Sequence, residues 1–235
     1  MKKLNLVKAL FLSASLLTVN AMADVIVLDF EGVNADYPSS SNSLVQDFYN
    51  GGTSSEGTSG TNYGIEFSDN ALGICLNTVG VTCSNTSRGG EGNPDSQLGG
   101  LFFLTGNETF MNVAAGFETG FSFFYSAVNQ GGSISVFDDL SGGGNLLASL
   151  TLDITPSTCG PEYNAGFCSF VAGGVGFDGV AKSVSFAGAA NQIVWDDITF
   201  GSIIPDPDPD PVPAPHMLLL MALSLASLRW LRRKA

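Results

Sequence analysis

Basic residues and histidine are what this sequence most lacks. Of its nine Lys and Arg, seven sit at the two ends of the chain. Residues 24–204 hold nineteen Asp or Glu against only Arg88 and Lys182, a formal charge of −17. A surface that anionic repels phosphate backbones and acidic lipid heads, which excludes nucleic acid as a partner and disfavours electrostatic attachment to a membrane. The single histidine is His216, close to the C-terminus. The body therefore has no imidazole general base, no Ser-His-Asp or Cys-His arrangement and no histidine metal ligand. No window of the body shows a sustained 3.6-residue apolar period, so helices are not expected to build it.

What is present begins with a leader. Lys2, Lys3 and Lys8 precede an apolar stretch, Ala9 to Val19, and then Ala21-Met22-Ala23. A basic start, an apolar middle and small residues at the cleavage positions are the pattern of a secretory signal helix, removed by signal peptidase between Ala23 and Asp24. Residues 24–204 are long enough for one domain with a single core. Four cysteines remain after that cleavage, Cys75, Cys83, Cys159 and Cys168. In an exported chain an even number predicts disulfides rather than thiolate nucleophiles. Three connectivities are possible, and proximity favours Cys75–Cys83 with Cys159–Cys168.

The body reads as strands between turns. Residues 25–33, 62–68, 99–106, 120–128, 133–139, 146–154, 168–173, 181–188 and 191–201 are rich in β-branched and aromatic residues, and Gly, Asn, Asp and Ser cluster between them. Many short strands at roughly ten-residue spacing predict an all-β fold, an antiparallel β-sandwich or jelly roll. The Gly/Ser-rich stretch 50–62 reads as an exposed, mobile loop. After Ile204 the composition changes to "PDPDPDP" (205–211), an extended and self-repelling spacer.

The last segment, residues 212–235, has three parts. Val212-Pro213-Ala214-Pro215 leads into twelve uncharged residues, Met217–Leu228, and the chain closes with Arg229, Arg232, Arg233 and Lys234. A spanning helix needs about twenty apolar residues, so this hydrophobic helix is a marginal anchor, oriented with its basic end in the cytoplasm and the body outside. The arrangement resembles the PEP-CTERM sorting signal of exported bacterial proteins, with Ala214 where that pattern most often has Glu. The resemblance implies recognition by an exosortase, a membrane-embedded processing enzyme, and delivery to the cell surface or extracellular matrix of an exopolysaccharide-producing bacterium. A plain membrane anchor is the alternative reading. The body, with "LDFEG" near its start and "WDDITFG" at its end, resembles the Gly-rich β domains that precede such tails.

Two sites are legible inside the body. Strand alternation places Asp29 and Glu31 on one face of the first strand, and it separates Asp196 from Asp197 across the two faces of the last. First and last strands are often neighbours in sandwiches, so these four carboxylates are candidate oxygen ligands for a structural calcium ion. Their pattern is similar to jelly-roll and adhesion domains that pair a Phe-Glu strand with an Asp-Asp-Ile strand around such an ion; otherwise they are solvated strand ends. Phe123, Phe124, Tyr125 and Trp195 are either core residues or a sugar-stacking platform. The chain is accordingly read as a non-catalytic surface or matrix protein. The alternatives are a carbohydrate-binding module for exopolysaccharide and a glycoside hydrolase that uses carboxylates alone.

Overall fold

Alternating apolar and small polar residues build the long strands. In Gly120–Ala127 the sequence GFSFFYSA sends Phe121, Phe123, Tyr125 and Ala127 into the main core and turns Ser122, Phe124 and Ser126 to the other face. The computed structural model describes residues 25–38, 42–76, 83, 96, 98–155 and 166–205. The signal segment, the spacer from Asp206 onward, the sorting motif and its basic cluster lie outside them. Among the described residues no helix is long and apolar enough to cross a membrane.

Among the described residues twelve strands run in the order β1 (Ile26–Leu28), β2 (Asn42–Leu44), β3 (Ile65–Phe67), β4 (Leu72–Ile74), β5 (Leu101–Phe102), β6 (Glu108–Phe117), β7 (Gly120–Ala127), β8 (Gly132–Phe137), β9 (Leu146–Leu152), β10 (Val171–Gly176), β11 (Ala181–Gly188) and β12 (Ile193–Phe200). They form two antiparallel sheets. One has the order β10-β7-β12-β5-β4-β2 with β1 also on β12, and the other β3-β6-β11-β8-β9. The expected all-β sandwich is observed. Three strands were not legible in the sequence. β2 (NSL) carries one apolar residue and β4 (LGI) has a glycine at its centre, so neither stands out as an apolar or alternating run. In β6, Met111 and Val113 point inward, but outward Phe110 and the small Ala114-Ala115-Gly116 run blur the alternation.

Between the sheets lies a core of aromatic and branched side chains. Phe117, Phe121 and Phe200 meet edge-on or tilted with ring centroids 5.0–6.1 Å apart, and Trp195 packs between Phe103 and Phe186. Such pairs add to the area term that dominates core energetics. A second, smaller cluster of Ile74, Leu76, Phe102, Phe167 and Val194 covers the other face of the seven-stranded sheet. β12 is consequently buried at all eight positions. The cysteine-bearing loops supply this outer cover. Cys75 and Cys83 are bonded to one another and fully buried. Cys168 is also disulfide-bonded, while Cys159, its expected partner, lies outside the described residues.

The stretch 50–62 is not the free loop its composition suggests. Ser54 and Gly57 close a tight turn with Thr58, Gly60 donates to the Phe48 carbonyl, and the Thr58 hydroxyl donates to the Val33 carbonyl at 2.6 Å. Glycine here lets backbone pack on a ring: a Cβ at Gly60 would collide with Phe48.

Candidate functional site

The first strand pairs with the last. Ile26, Val27 and Leu28 oppose Phe200, Thr199 and Ile198, while further along the same edge of β12 Trp195 opposes Leu101 of β5. One edge of β12 is thus shared by two short strands, and the handover falls at Asp196 and Asp197. On its other edge β12 shifts register against β7 between Asp196 and Thr199. Asp197 has φ 46, the left-handed region that aspartate tolerates better than most residues. Strand alternation breaks at this bulge. Ile193 and Trp195 before it and Ile198 and Phe200 after it all reach the main core.

That bulge corrects the sequence reading, which put the two aspartates on opposite faces. Their carboxylates converge instead on one hydroxyl. Ser96 Oγ lies 3.0 Å from Asp196 Oδ2, 3.0 Å from Asp197 Oδ1 and 3.5 Å from the Asp29 carbonyl oxygen. Asp196 is 0% exposed and Asp197 2%. Asp196 also accepts the Asp197 backbone N–H at 2.8 Å, and the Asp197 carbonyl accepts from Thr199 Oγ1 at 2.9 Å. Ser96 was missed by sequence reasoning. It sits in a loop with no motif, and only the fold brings it to residues 100 positions away.

The N-terminal pair divides its roles. Glu31 Oε1 accepts the backbone N–H groups of Leu98 and Gly99 at 2.7 and 2.9 Å, which holds the segment leading into β5 against the end of β1. The approach is so close that a Cβ at Gly99 would strike the Phe30 carbonyl. Phe30, at φ 54, ends β1, and its N–H donates to the Tyr49 hydroxyl at 2.9 Å. Asp29 is exposed, and its Oδ1 accepts from Glu31 N at 3.2 Å and from the Tyr49 hydroxyl at 3.5 Å. β1 therefore stops too early for the alternation expected at Asp29 and Glu31.

Ser96 has a single hydroxyl hydrogen for its three acceptors. If both carboxylates are ionised, one facing oxygen pair carries no hydrogen. A proton on one carboxyl, or a cation between them, would relieve the charge. The conflict falls on Asp196. Burial pushes its carboxyl well above the usual range and the neighbouring Asp197 charge raises it further, against the opposing effect of its hydrogen bonds; Glu31 adds to the rise. Among the described residues no three acidic side chains close on a common point. The oxygens that do converge are Asp196 Oδ2, Asp197 Oδ1, Ser96 Oγ and the Asp29 carbonyl, a hard donor set suited to calcium.

The proposed aromatic platform is not at the surface. Trp195 and Phe123 are completely buried and Tyr125 is 8% exposed, so none offers a face to a sugar; Phe124 is half-buried. A polar cleft of about 210 Å³ lies on the outer face of the five-stranded sheet, lined by Asn50, Gly64, Glu66, Asn112, Ala114, Leu140 and Ser141. Glu66 and Asn112 are cross-strand partners on β3 and β6. The turn Leu140–Gly142 forms one wall, fixed by Ser141 N donating to Asn112 Oδ1 at 2.7 Å and Gly142 N donating to Ser183 Oγ at 3.0 Å. Ser141 is held at φ 52 beside three glycines.

No protein-family model matches the sequence, and no curated protein matches it. Among solved structures the chain is similar to a carbohydrate binding module of lichenase 5A from Cellvibrio mixtus, in complex with cellotriose. That match has a TM-score of 0.32 and 12% identity over 50% of this chain and 88% of that one. It is also similar to the K3 cleaved adhesin domain of Lys-gingipain from Porphyromonas gingivalis, with a TM-score of 0.34 and 15% identity over 75% of this chain and 98% of that one. Likeness at this level carries no argument about the chemistry of either site.

A carboxyl whose folded pKa is raised binds more protons in the native state than in the unfolded chain. Its contribution to stability is complete below the unfolded value, about 4, and is lost as pH rises toward the folded value. In excess chelator the melt should therefore weaken above about pH 4, by at most about 1.4 kcal/mol per pH unit from this group. Asp196→Asn keeps the acceptor for Asp197 N–H and offers Ser96 a donor, so it should flatten that slope and melt higher than the native chain at pH 7. Chemical denaturation across pH checks this; a native slope that the variant leaves unchanged would exclude Asp196 as its source.

Proposed function

We propose that this chain is an exported, non-catalytic surface or matrix protein, a β-sandwich carried on a Pro-Asp spacer and sorted through its C-terminal segment. The observation that supports this reading is the closure of the fold by its own ends. β1 begins at Ile26 and β12 ends at Phe200, and the two are neighbours in one sheet. A signal segment before the body and a spacer after it then leave from one region of the sandwich. Signal peptidase acts between Ala23 and Asp24. An exosortase-like enzyme reads Val212–Pro215, the apolar helix and Arg232-Arg233-Lys234, and the marginal length of that helix suits a transient anchor.

Calcium at the β1–β12 seam is part of the same reading. The ion is held by Asp196, Asp197, Ser96 and the Asp29 carbonyl, and it supplies the positive charge that these buried oxygens need outside the cell. Glu31 acts by clamping residues 98 and 99 and by adding negative charge nearby.

A second reading, binding of exopolysaccharide, is favoured by the cleft on the five-stranded sheet. Glu66, Asn112, Asn50 and Ser141 offer carboxylate, amide and hydroxyl groups to a hydroxyl-rich ligand, and Leu140 offers an aliphatic contact. No described hydrogen bond occupies the Asn112 amide N–H groups. With Glu66 as the acidic residue of the lining, the cleft suits a neutral glycan and repels a polyuronate.

Three measurements test these statements. Mass spectrometry of the C-terminal peptide of native material should find a chain ending near Val212–Pro215 outside the inner membrane; a chain retaining Met217–Ala235 in the membrane fraction would mean a plain anchor. Excess EDTA should lower the melting temperature by roughly 5–10 °C relative to saturating calcium, the shift for an ion at about 100 times its Kd. Asp196→Asn should erase that difference, and an identical melt with and without chelator would end the calcium assignment. In affinity gel electrophoresis a neutral β-glucan should retard the native protein. Glu66→Ala and Ser141→Gly, the latter relieving a left-handed backbone, should each reduce the retardation at least tenfold; equal mobility of all three would remove the cleft from consideration.

A further inference from the structure

Among the described residues two strand edges are open, and they lie on the same side of the sandwich. β9 ends the five-stranded sheet and β10 ends the seven-stranded one. The two edges touch: a Cβ on Gly173 would lie 3.5 Å from Leu150. Their sequences, LLASLTL and VAGGVG, contain neither a charged residue nor a proline. On a body of formal charge −17 this is an uncharged lateral surface.

Free edges in soluble proteins are ordinarily protected by charge, proline, a bulge or a covering segment. β10 has partial protection, because three of its six residues are glycine, which leaves few side chains to pack against an added strand. β9 has little. It pairs with β8 along its whole length, from Leu146 opposite Phe137 to Leu152 opposite Gly132, and its one irregularity is confined to the Leu146 end. No described backbone hydrogen bond outside the β8–β9 ladder involves residues 146–152. Leu146 is 56% exposed, and Leu147, Ala148 and Leu150 are only partly buried against the core. Seven residues that are apolar or hydroxylic, uncharged and extended satisfy the requirements for adding another strand.

We propose that β9 is a self-association edge, pairing antiparallel with β9 of a second copy about a two-fold axis at Ser149. The two five-stranded sheets then become one ten-stranded sheet. In this register Ala148 opposes Leu150, so core-side positions of the two strands meet on one face at the axis, and the irregularity at the Leu146 end bounds the pairing. Charge selects the occupant. Two molecules this anionic approach most closely where neither bears charge, whereas a basic partner is drawn to the carboxylates elsewhere. The contact is isologous and closes on itself, which gives a dimer rather than a fibre. It does not depend on how the chain is sorted or on either proposed ligand site.

The carboxylates of Asp138, Asp139 and Asp153 flank the strand, so screening them should strengthen the dimer. Sedimentation velocity on the exported chain, at rising protein concentration and at low and high salt, should show a mass that doubles, and at lower protein concentration in high salt. Ser149 is exposed, so Ser149→Glu should leave the melting temperature within a few degrees while placing two like charges at the axis, and should shift dissociation at least tenfold toward monomer. Ser149→Thr should keep the dimer. Amide exchange at residues 146–152 should slow as the dimer forms. A monomer under all conditions, a dimer indifferent to Ser149→Glu, or a dimer that salt dissociates would overturn the proposal; the last would indicate an electrostatic contact elsewhere on the body.

Discussion

The antiparallel pairing of β1 with the C-terminal half of β12 is the contact on which the site geometry depends. It closes the seven-stranded sheet by joining residues at opposite ends of the domain, and it leaves the N-terminal half of the same β12 edge to β5. Two short strands meeting on one edge cannot both continue the ladder through the junction. The chain resolves this with a bulge at Asp196 and Asp197, a left-handed Phe30 and a glutamate that ties the two incoming segments together through Leu98 and Gly99. The buried carboxylates follow from the junction. They stand where backbone pairing is interrupted and polar side chains are needed in its place.

The two sheets play different parts because they are covered differently. The seven-stranded sheet is enclosed by the main core on one side and by the disulfide-linked loops on the other, so β12 carries Val194 and Trp195 to opposite apolar clusters. Acids within such a strand cannot reach bulk water and must be neutralised locally. Among the described residues the five-stranded sheet has one open face. Its turn at 140–142 stands over that face and makes a cleft from groups that water can reach.

Acidity is therefore not a uniform property of the body. Most carboxylates face solvent and set the long-range field, which discourages contact with anionic partners. The few at the β1–β12 seam are structural and bear on stability. Between these extremes lies the uncharged flank of β9 and β10, conspicuous against the rest of the body. A single composition thus produces a repelling surface, a charge-hungry interior seam and one neutral edge.

Composition and pattern were sufficient for the all-β class, for nine of the twelve strands and for the neighbourhood of first and last strands, because short alternating runs between turn formers have few other ways to bury their apolar face. The alternation of "FSFFYS" also marked a core strand, and Phe121 and Phe123 are in the core. The side on which each aspartate lies was not legible. A bulge of one residue inverts every later position in a period of two, and the register of β12 against β7 decides it. Ser96 was invisible because a lone serine in a Gly/Asn-rich loop has no local signature; its place comes from contacts a hundred residues away. The seam's exclusion of water was equally hidden, since it needs the second cluster over β12. What the sequence determined by itself was local and periodic: export and sorting expectations at the ends, strands between them, and an excess of acid. What only the tertiary structure decided was which of those acids lose their water, because burial is set by non-local packing and not by the identity of neighbours along the chain.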